Sequence, residues 1–230
     1  TNACYLAFAA DYCKETAFQT GRFKTQTLII DDRTFNSDLF EELSAVMSFV
    51  KNHLMAGLVI TGNPRHEVRY DYPVDAIREI ILNMIVHRDY RSASESCVKI
   101  FDDRIEFFNP GKLMDGMTPD DLNSGNYLST LRNKAIANHF NMLGEIEKYG
   151  SGVTRVIGLF QEAGLPVPRI EEIGCGIRVT VWKAVDRDTE KDTEKDTEKD
   201  TENITENQRK ILSAIEQNPS APQEGIAQVV

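Results

Sequence analysis

The stretch Asp71 to Tyr90 limits the folds open to this chain more than any other. Pro73 suits a first helical position, where its fixed φ and missing N–H do no harm. Val74, Ile77, Ile81, Met84 and Ile85 follow at three- and four-residue steps, which predicts an amphipathic helix with a buried face. Glu79, Asn83 and His87 stand one helical turn apart in succession, and a drift of about 40° per four-residue step keeps them in one polar stripe. Ile80, Leu82 and Val86 carry apolar groups around most of the circumference. The helix is therefore expected to be largely buried, and its carboxylate and amide to need partners. A carboxylate able to take a proton, one turn before an amide oxygen able to ligate a hard cation, suits phosphate chemistry on a metal-bound nucleotide. A solvated helix face is the alternative, and the Glu-x-x-x-Asn pattern alone does not decide between them.

The rest of the chain narrows the class. Its 230 residues, 41% hydrophobic, allow one or two domains with a real core. No run of about eighteen apolar residues occurs and no basic-then-apolar leader opens the chain, so a cytoplasmic protein without a membrane partner is expected. Cys4, Cys13, Cys97 and Cys175 form no C-x-x-C pair and read as free thiols. Half of the net charge of −10 lies in residues 186–203, which hold nine acids against four bases. Neither part reads as a basic nucleic-acid surface. Asp-Thr-Glu-Lys repeats from Asp188 with nothing apolar between Val185 and Ile204, which predicts an acidic linker. The start at Thr1 and the stop at Val230 read as the ends of a piece of something longer.

Before the central helix, Tyr5 to Ala10 and Leu28 to Ile30 look like strands. A second amphipathic helix is expected from an N-cap at Ser37 through Leu54. Gly57 to Thr61 and Glu67 to Tyr72 read as a hairpin around Gly62-Asn63-Pro64. After the central helix, Cys97 to Phe101 and Arg104 to Phe108 alternate as two strands joined at Asp102-Asp103, and they deliver the chain to Asn109-Pro110-Gly111. Residues 112–130 are weakly patterned and read as a mobile lid-like loop. Arg132 to Leu143 and Val153 to Ala163 read as helices stopped by Gly144 and Gly164, the second opened by Gly150-Ser151-Gly152, where small residues admit phosphate oxygens to a helix N-terminus. Ile173 to Val181 supply a closing strand bent at its glycines.

In this order, the pieces resemble the GHKL ATP-binding fold shared by gyrase, the heat-shock chaperone ATPase, histidine kinases and MutL. More narrowly, Arg78-Glu79, Asn83, His87-Arg-Asp-Tyr90, Phe101 to Glu106, Asn109-Pro-Gly111, Arg132-Asn133, Ile146-Glu147 and Gly150-Ser-Gly152 resemble the divergent GHKL-type domain of RecG-like transcriptional regulators. The resemblance implies an α+β sandwich with helices on one face of a mixed, largely antiparallel sheet. It divides the chain into the tail of an AlbA-like domain of the Schlafen type (1–36), the GHKL-like domain (37–184), the acidic linker (185–203) and a winged helix cut short before its recognition helix (204–230). It implies ATP and Mg2+ as cofactors, Glu79 as general base, Asn83 as metal ligand, Asn109 and Gly111 at the adenine side, and Gly150, Ser151 and Gly152 about the phosphates. Asn109 stands where that family carries an acid, although its carbonyl oxygen is also an acceptor.

Two classes of function remain. The domain binds ATP with magnesium, with slow hydrolysis at most, and switches a DNA-bound regulator. Alternatively, a degenerate fold without nucleotide serves as a dimerisation scaffold between DNA-contacting ends, so that the partners are DNA, reached through the full-length protein, and a second copy. No Gly-x-x-x-x-Gly-Lys-Ser/Thr loop occurs, which excludes a P-loop helicase motor. Only the single helix ending near His53 precedes the domain, where a histidine kinase needs a helical hairpin, and His66, His87 and His139 are poorly placed for its acceptor histidine.

Overall fold

The structure, a computed structural model, describes Leu6 and residues 16–59, 67–114, 116–125, 127, 130–146 and 152–184. The chain divides into two compact units, Thr1–Ala184 and Val185–Val230. The expected strand at Tyr5 to Ala10, the turn at Gly62-Asn63-Pro64, Glu147, Gly150, Ser151, the acidic repeat and the C-terminal helix pair lie outside the described residues.

Strand β1 (Phe18–Phe23) is followed by β2 (Ile29–Phe35), helix α1 (Leu39–Leu54) and the hairpin β3 (Met55–Val59) and β4 (Glu67–Tyr70). The central helix α2 (Val74–His87) leads to β5 (Ser96–Ile100) and β6 (Arg104–Pro110). Helices α3 (Pro119–Ser124), α4 (Lys134–Met142) and α5 (Gly152–Glu162) precede the closing strands β7 (Arg169–Ile173) and β8 (Gly176–Trp182). Six strands form one sheet in the order β2-β1-β5-β6-β8-β7, and β3-β4 form a separate pair. Within the large sheet β1 and β5 run parallel and every other neighbouring pair is antiparallel. The fold is thus α+β, with the mixed, largely antiparallel sheet expected.

The sheet has one wet and one dry face because its strands alternate with the pleat. Val98 lies opposite Phe107, Ile100 opposite Ile105 and Ile105 opposite Val181, and all five are at most 1% exposed. The intervening Lys99, Arg104, Glu106 and Arg178 meet solvent. The helices lie on the dry face. α2 packs against α1, α4, α5 and β6, and its Ile77, Ile80, Ile81, Leu82, Ile85 and Val86 are all buried. At about 1.5–3 kcal/mol for each aliphatic side chain taken from water, this helix is the largest single contributor to the core.

Several local expectations are corrected. Asp38, not Ser37, caps α1: its Oδ1 accepts from the backbone N–H of Phe40 at 2.9 Å and of Glu41 at 3.1 Å. A carboxylate also favours the positive helix end, where the Ser37 hydroxyl would supply a dipole alone. Pro73 is the N-cap of α2 rather than its first residue, with ψ at 110°. The expected loop at 112–130 contains α3, nucleated by a capping box in which the Thr118 hydroxyl accepts from the Asp121 N–H while Asp121 accepts from the Thr118 N–H. The expected bent strand at 173–181 is two strands, with Gly174 at φ 57° in the turn between them.

The segment read as the tail of a preceding domain contributes β1 and β2 to this same sheet. Arg88, just past α2, ties it down by donating from Nη1 to the carbonyls of Thr16 and Ala17, each at 2.9 Å. Glu42 on α1 is buried beside that guanidinium, and its Oε1 has no hydrogen-bond partner among the described residues. Burial pushes its carboxyl up to about 9, with Arg88 offsetting part of the rise. Among the described residues no helix is long and apolar enough to cross a membrane.

Candidate functional site

A cavity of about 1030 Å³ opens between α2, the dry face of β6 and β8, the start of α5 and the segment after Gly111. It is roomy enough for a drug-sized or larger ligand. Glu79, Asn83, Asn109, Gly111 and Gly152 all line it, so every described member of the expected site set meets at one place.

The polar stripe of α2 faces this space. Asn83 Nδ2 donates to Glu79 Oε1 at 3.2 Å, one turn back along the helix. With its amide nitrogen so engaged, the Asn83 carbonyl oxygen is the atom left to ligate a cation. Gly152 begins α5 against this pair. A Cβ there would run into Glu79 Oε1 and sit 3.1 Å from Asn83 Nδ2. The backbone at the positive end of an eleven-residue helix therefore approaches the carboxylate-amide pair as closely as a chain without a side chain allows.

At the other end, Asn109 is the last residue but one of β6. Its Oδ1 accepts from the hydroxyl of Ser96 on β5 at 2.7 Å, and Ser96 is fully buried. Gly111 follows with φ 110°, a conformation that suits glycine, and a Cβ would lie 3.1 Å from Asp89 Cβ and 3.3 Å from the Arg132 guanidinium.

Arg132 and Asn133 hold this end together, a role that their place in the sequence pattern did not disclose. Arg132 donates from Nε to the carbonyl of His87 at 3.0 Å and from Nη2 to the carbonyl of Lys112, and its Nη1 lies 3.8 Å from Asp89 Oδ2. Asn133 Nδ2 donates to the carbonyls of Val86 at 2.9 Å and Arg88 at 2.8 Å. Together they satisfy carbonyls that the C-terminus of α2 leaves open, and the helix expected from Arg132 starts instead at Lys134. His87 lines the cavity, and burial, with the Arg132 charge, holds its ring below the usual histidine range and so neutral. Arg78 of α2 forms an ion pair with Glu145 beyond α4, and both also line the cavity.

The segment after Gly111 contributes Met114, Met117 and Leu122 to the wall. Its helix was missed although Thr118-Pro119-Asp120-Asp121 carries a capping-box signal with proline at the first helical position. Ser96 was missed because nothing local marks a strand serine as the partner of a residue on the next strand.

Residues 94–181 match the family HATPase_c_4, whose description is "Putative ATP-dependent DNA helicase recG C-terminal". That family is of ATPase type by its description. The matched stretch takes in Asn109, Gly111 and Gly152, and begins after Glu79 and Asn83. The fold is also that of the DIP2311 protein from Corynebacterium diphtheriae, a crystal structure with TM-score 0.69 and 23% identity over 80% of this chain. This chain spans 37% of that protein's length. No curated protein matches the sequence.

Proposed function

We propose that residues 37–184 form a GHKL-type nucleotide-binding module that takes a nucleoside triphosphate with magnesium, ATP being the ligand that the family description names. The observation that carries this reading is the convergence of Glu79, Asn83, Asn109, Gly111 and Gly152 on one cavity, with Gly152 pressed against the Glu79-Asn83 pair. The donor set suits magnesium. Among the described residues no group of three or more His, Cys, Asp or Glu side chains could cage a metal, and magnesium is commonly held by one or two protein oxygens, water and the phosphates themselves. Asn83 would supply the protein oxygen, and the bound ion would neutralise phosphate charge. Glu79 would accept the proton of an attacking water, giving slow hydrolysis at most.

In the whole protein the module is read as the switch of a RecG-like transcriptional regulator, with residues 185–203 a linker and 204–230 the start of a winged helix. DNA would be contacted outside the nucleotide domain, and a second copy is the expected protein partner. Titration calorimetry with a non-hydrolysable ATP analogue and magnesium tests the core of this reading. Saturable one-site binding is the expected result, and no heat of binding up to millimolar nucleotide would overturn it.

A further inference from the structure

Glu79 and His87 both line the cavity, and the rise of the helix places them about 12 Å apart along α2. The Glu79-Asn83 pair and Gly152 mark one end. Asn109 belongs to the other, because the Asp89 N–H donates to the carbonyl of Pro110 at 2.9 Å and fastens the end of β6 to the chain just past His87. Between the two ends the sheet wall is apolar. Of the described sheet residues that line the cavity, Phe107, Asn109, Ile170, Ile177 and Val179, only Asn109 is polar. A flat heteroaromatic base laid on this wall is therefore read at its edge by the Asn109 carboxamide.

The orientation of that carboxamide follows from Ser96. Its buried hydroxyl has Asn109 as its single hydrogen-bond partner among the described residues, and donates to Oδ1. Turning the amide over would make the hydroxyl an acceptor and leave its own proton buried without a partner, an unfavourable exchange. Ser96 thus takes one of the two lone pairs of Oδ1 and fixes the amide, and Nδ2, which has no partner among the described residues, is the group wholly left for a ligand in the cavity. Asn109 offers the ligand a donor.

We propose that this pocket prefers a purine with a carbonyl oxygen at its six position, so that guanosine or inosine triphosphate binds ahead of ATP. The Nδ2 group donates to a six-carbonyl, whereas the six-amino group of adenine meets Nδ2 donor against donor and has only the second lone pair of an Oδ1 already held by Ser96 to turn to. This inference rests on the nucleotide reading above and narrows its base.

The test is a titration, with magnesium, of the non-hydrolysable analogues of ATP, GTP and ITP. The GTP and ITP analogues are each expected to bind about tenfold more tightly than that of ATP, the worth of one hydrogen bond exchanged for a clash. Asn109→Asp, equal in volume, should invert the order because a carboxylate only accepts. Ser96→Ala releases the amide to rotate and should bring the analogues to within about twofold of one another, well inside a single hydrogen bond. An ATP analogue that binds as tightly as the others in the parent overturns the base preference and leaves the nucleotide site standing. A GTP preference that survives Asn109→Asp removes Asn109 as its source. Failure of all three analogues to bind overturns the nucleotide reading and this inference with it.

Discussion

Gly152, the first residue of α5, abuts the Glu79 carboxylate so closely that an added Cβ would overlap Oε1. The obstructed atom is the far end of a flexible side chain, so Gly152→Ala should move Glu79 rather than unfold the domain. Alanine is also the better helix former, by up to about 1 kcal/mol. The variant is expected to melt no lower than the parent, yet to bind magnesium nucleotide roughly tenfold more weakly or worse, since the added Cβ also crowds the Asn83 amide, 3.1 Å away, and misplacing that ligand of the metal is expensive. Thermal melts followed by circular dichroism, alongside calorimetric titration, check both halves. Unchanged affinity would make the contact incidental.

Arg132 offers one guanidinium to the carbonyls of His87 and Lys112 and lies near Asp89. Hydrogen bonds from a charged donor contribute about 1.5–3 kcal/mol each, so Arg132→Ala should destabilise the domain by roughly 2–4 kcal/mol in urea unfolding. Arg132→Lys should recover little of it, because a point ammonium cannot span acceptors that a planar fork reaches together. Full rescue by lysine would show that charge alone matters there.

Glu42 gives the stability a pH dependence of known sign. Its folded carboxyl is raised from 4.5 to about 9, so between these values the native state keeps a proton that the unfolded chain gives up. The stabilisation from burying the neutral acid is complete below about 4.5 and is lost as pH rises through about 9. Glu42→Gln cannot ionise. Its unfolding free energy between pH 5 and 8.5 should therefore fall less with rising pH than that of the parent. Parallel curves for the two proteins would remove Glu42 as the cause.

Much of this was legible in local pattern and some of it could not have been. The three- and four-residue spacing of Val74, Ile77, Ile81 and Ile85 announced α2, and the polar stripe through Glu79 and Asn83 does face the cavity. The parallel pairing of Phe18 with Ser96 and of Thr20 with Val98 joins segments far apart in the chain. No local periodicity encodes such a pairing, and the strand Phe18–Phe23 fell between the two runs, Tyr5 to Ala10 and Leu28 to Ile30, that the sequence suggests. The role of Arg132 and Asn133 escaped for a related reason: the carbonyls they satisfy belong to Val86, His87 and Arg88, and a cap supplied by a distant segment has no spacing signature. Asp38 was overlooked because serine and aspartate are both good N-caps and stand side by side.

Glu79 should matter to turnover and not to affinity. Glu79→Ala is expected to keep magnesium-dependent nucleotide binding and to lose whatever hydrolysis the parent shows, by the roughly 10²- to 10⁴-fold that a general base supplies. Phosphate release assays beside titration separate the two quantities. Equal turnover in variant and parent would take Glu79 out of the chemistry.

The most direct test of a magnesium-nucleotide site is the metal dependence of binding in the parent and in Asn83→Ala. Asn83 lines the cavity with its amide nitrogen held by Glu79 at 3.2 Å, which leaves its carbonyl oxygen to join metal to phosphate. Titration of a non-hydrolysable triphosphate with magnesium and with EDTA should give tight binding only for the parent with magnesium, and only weak, metal-independent binding for a folded Asn83→Ala. Equal affinities in all four titrations would contradict the site.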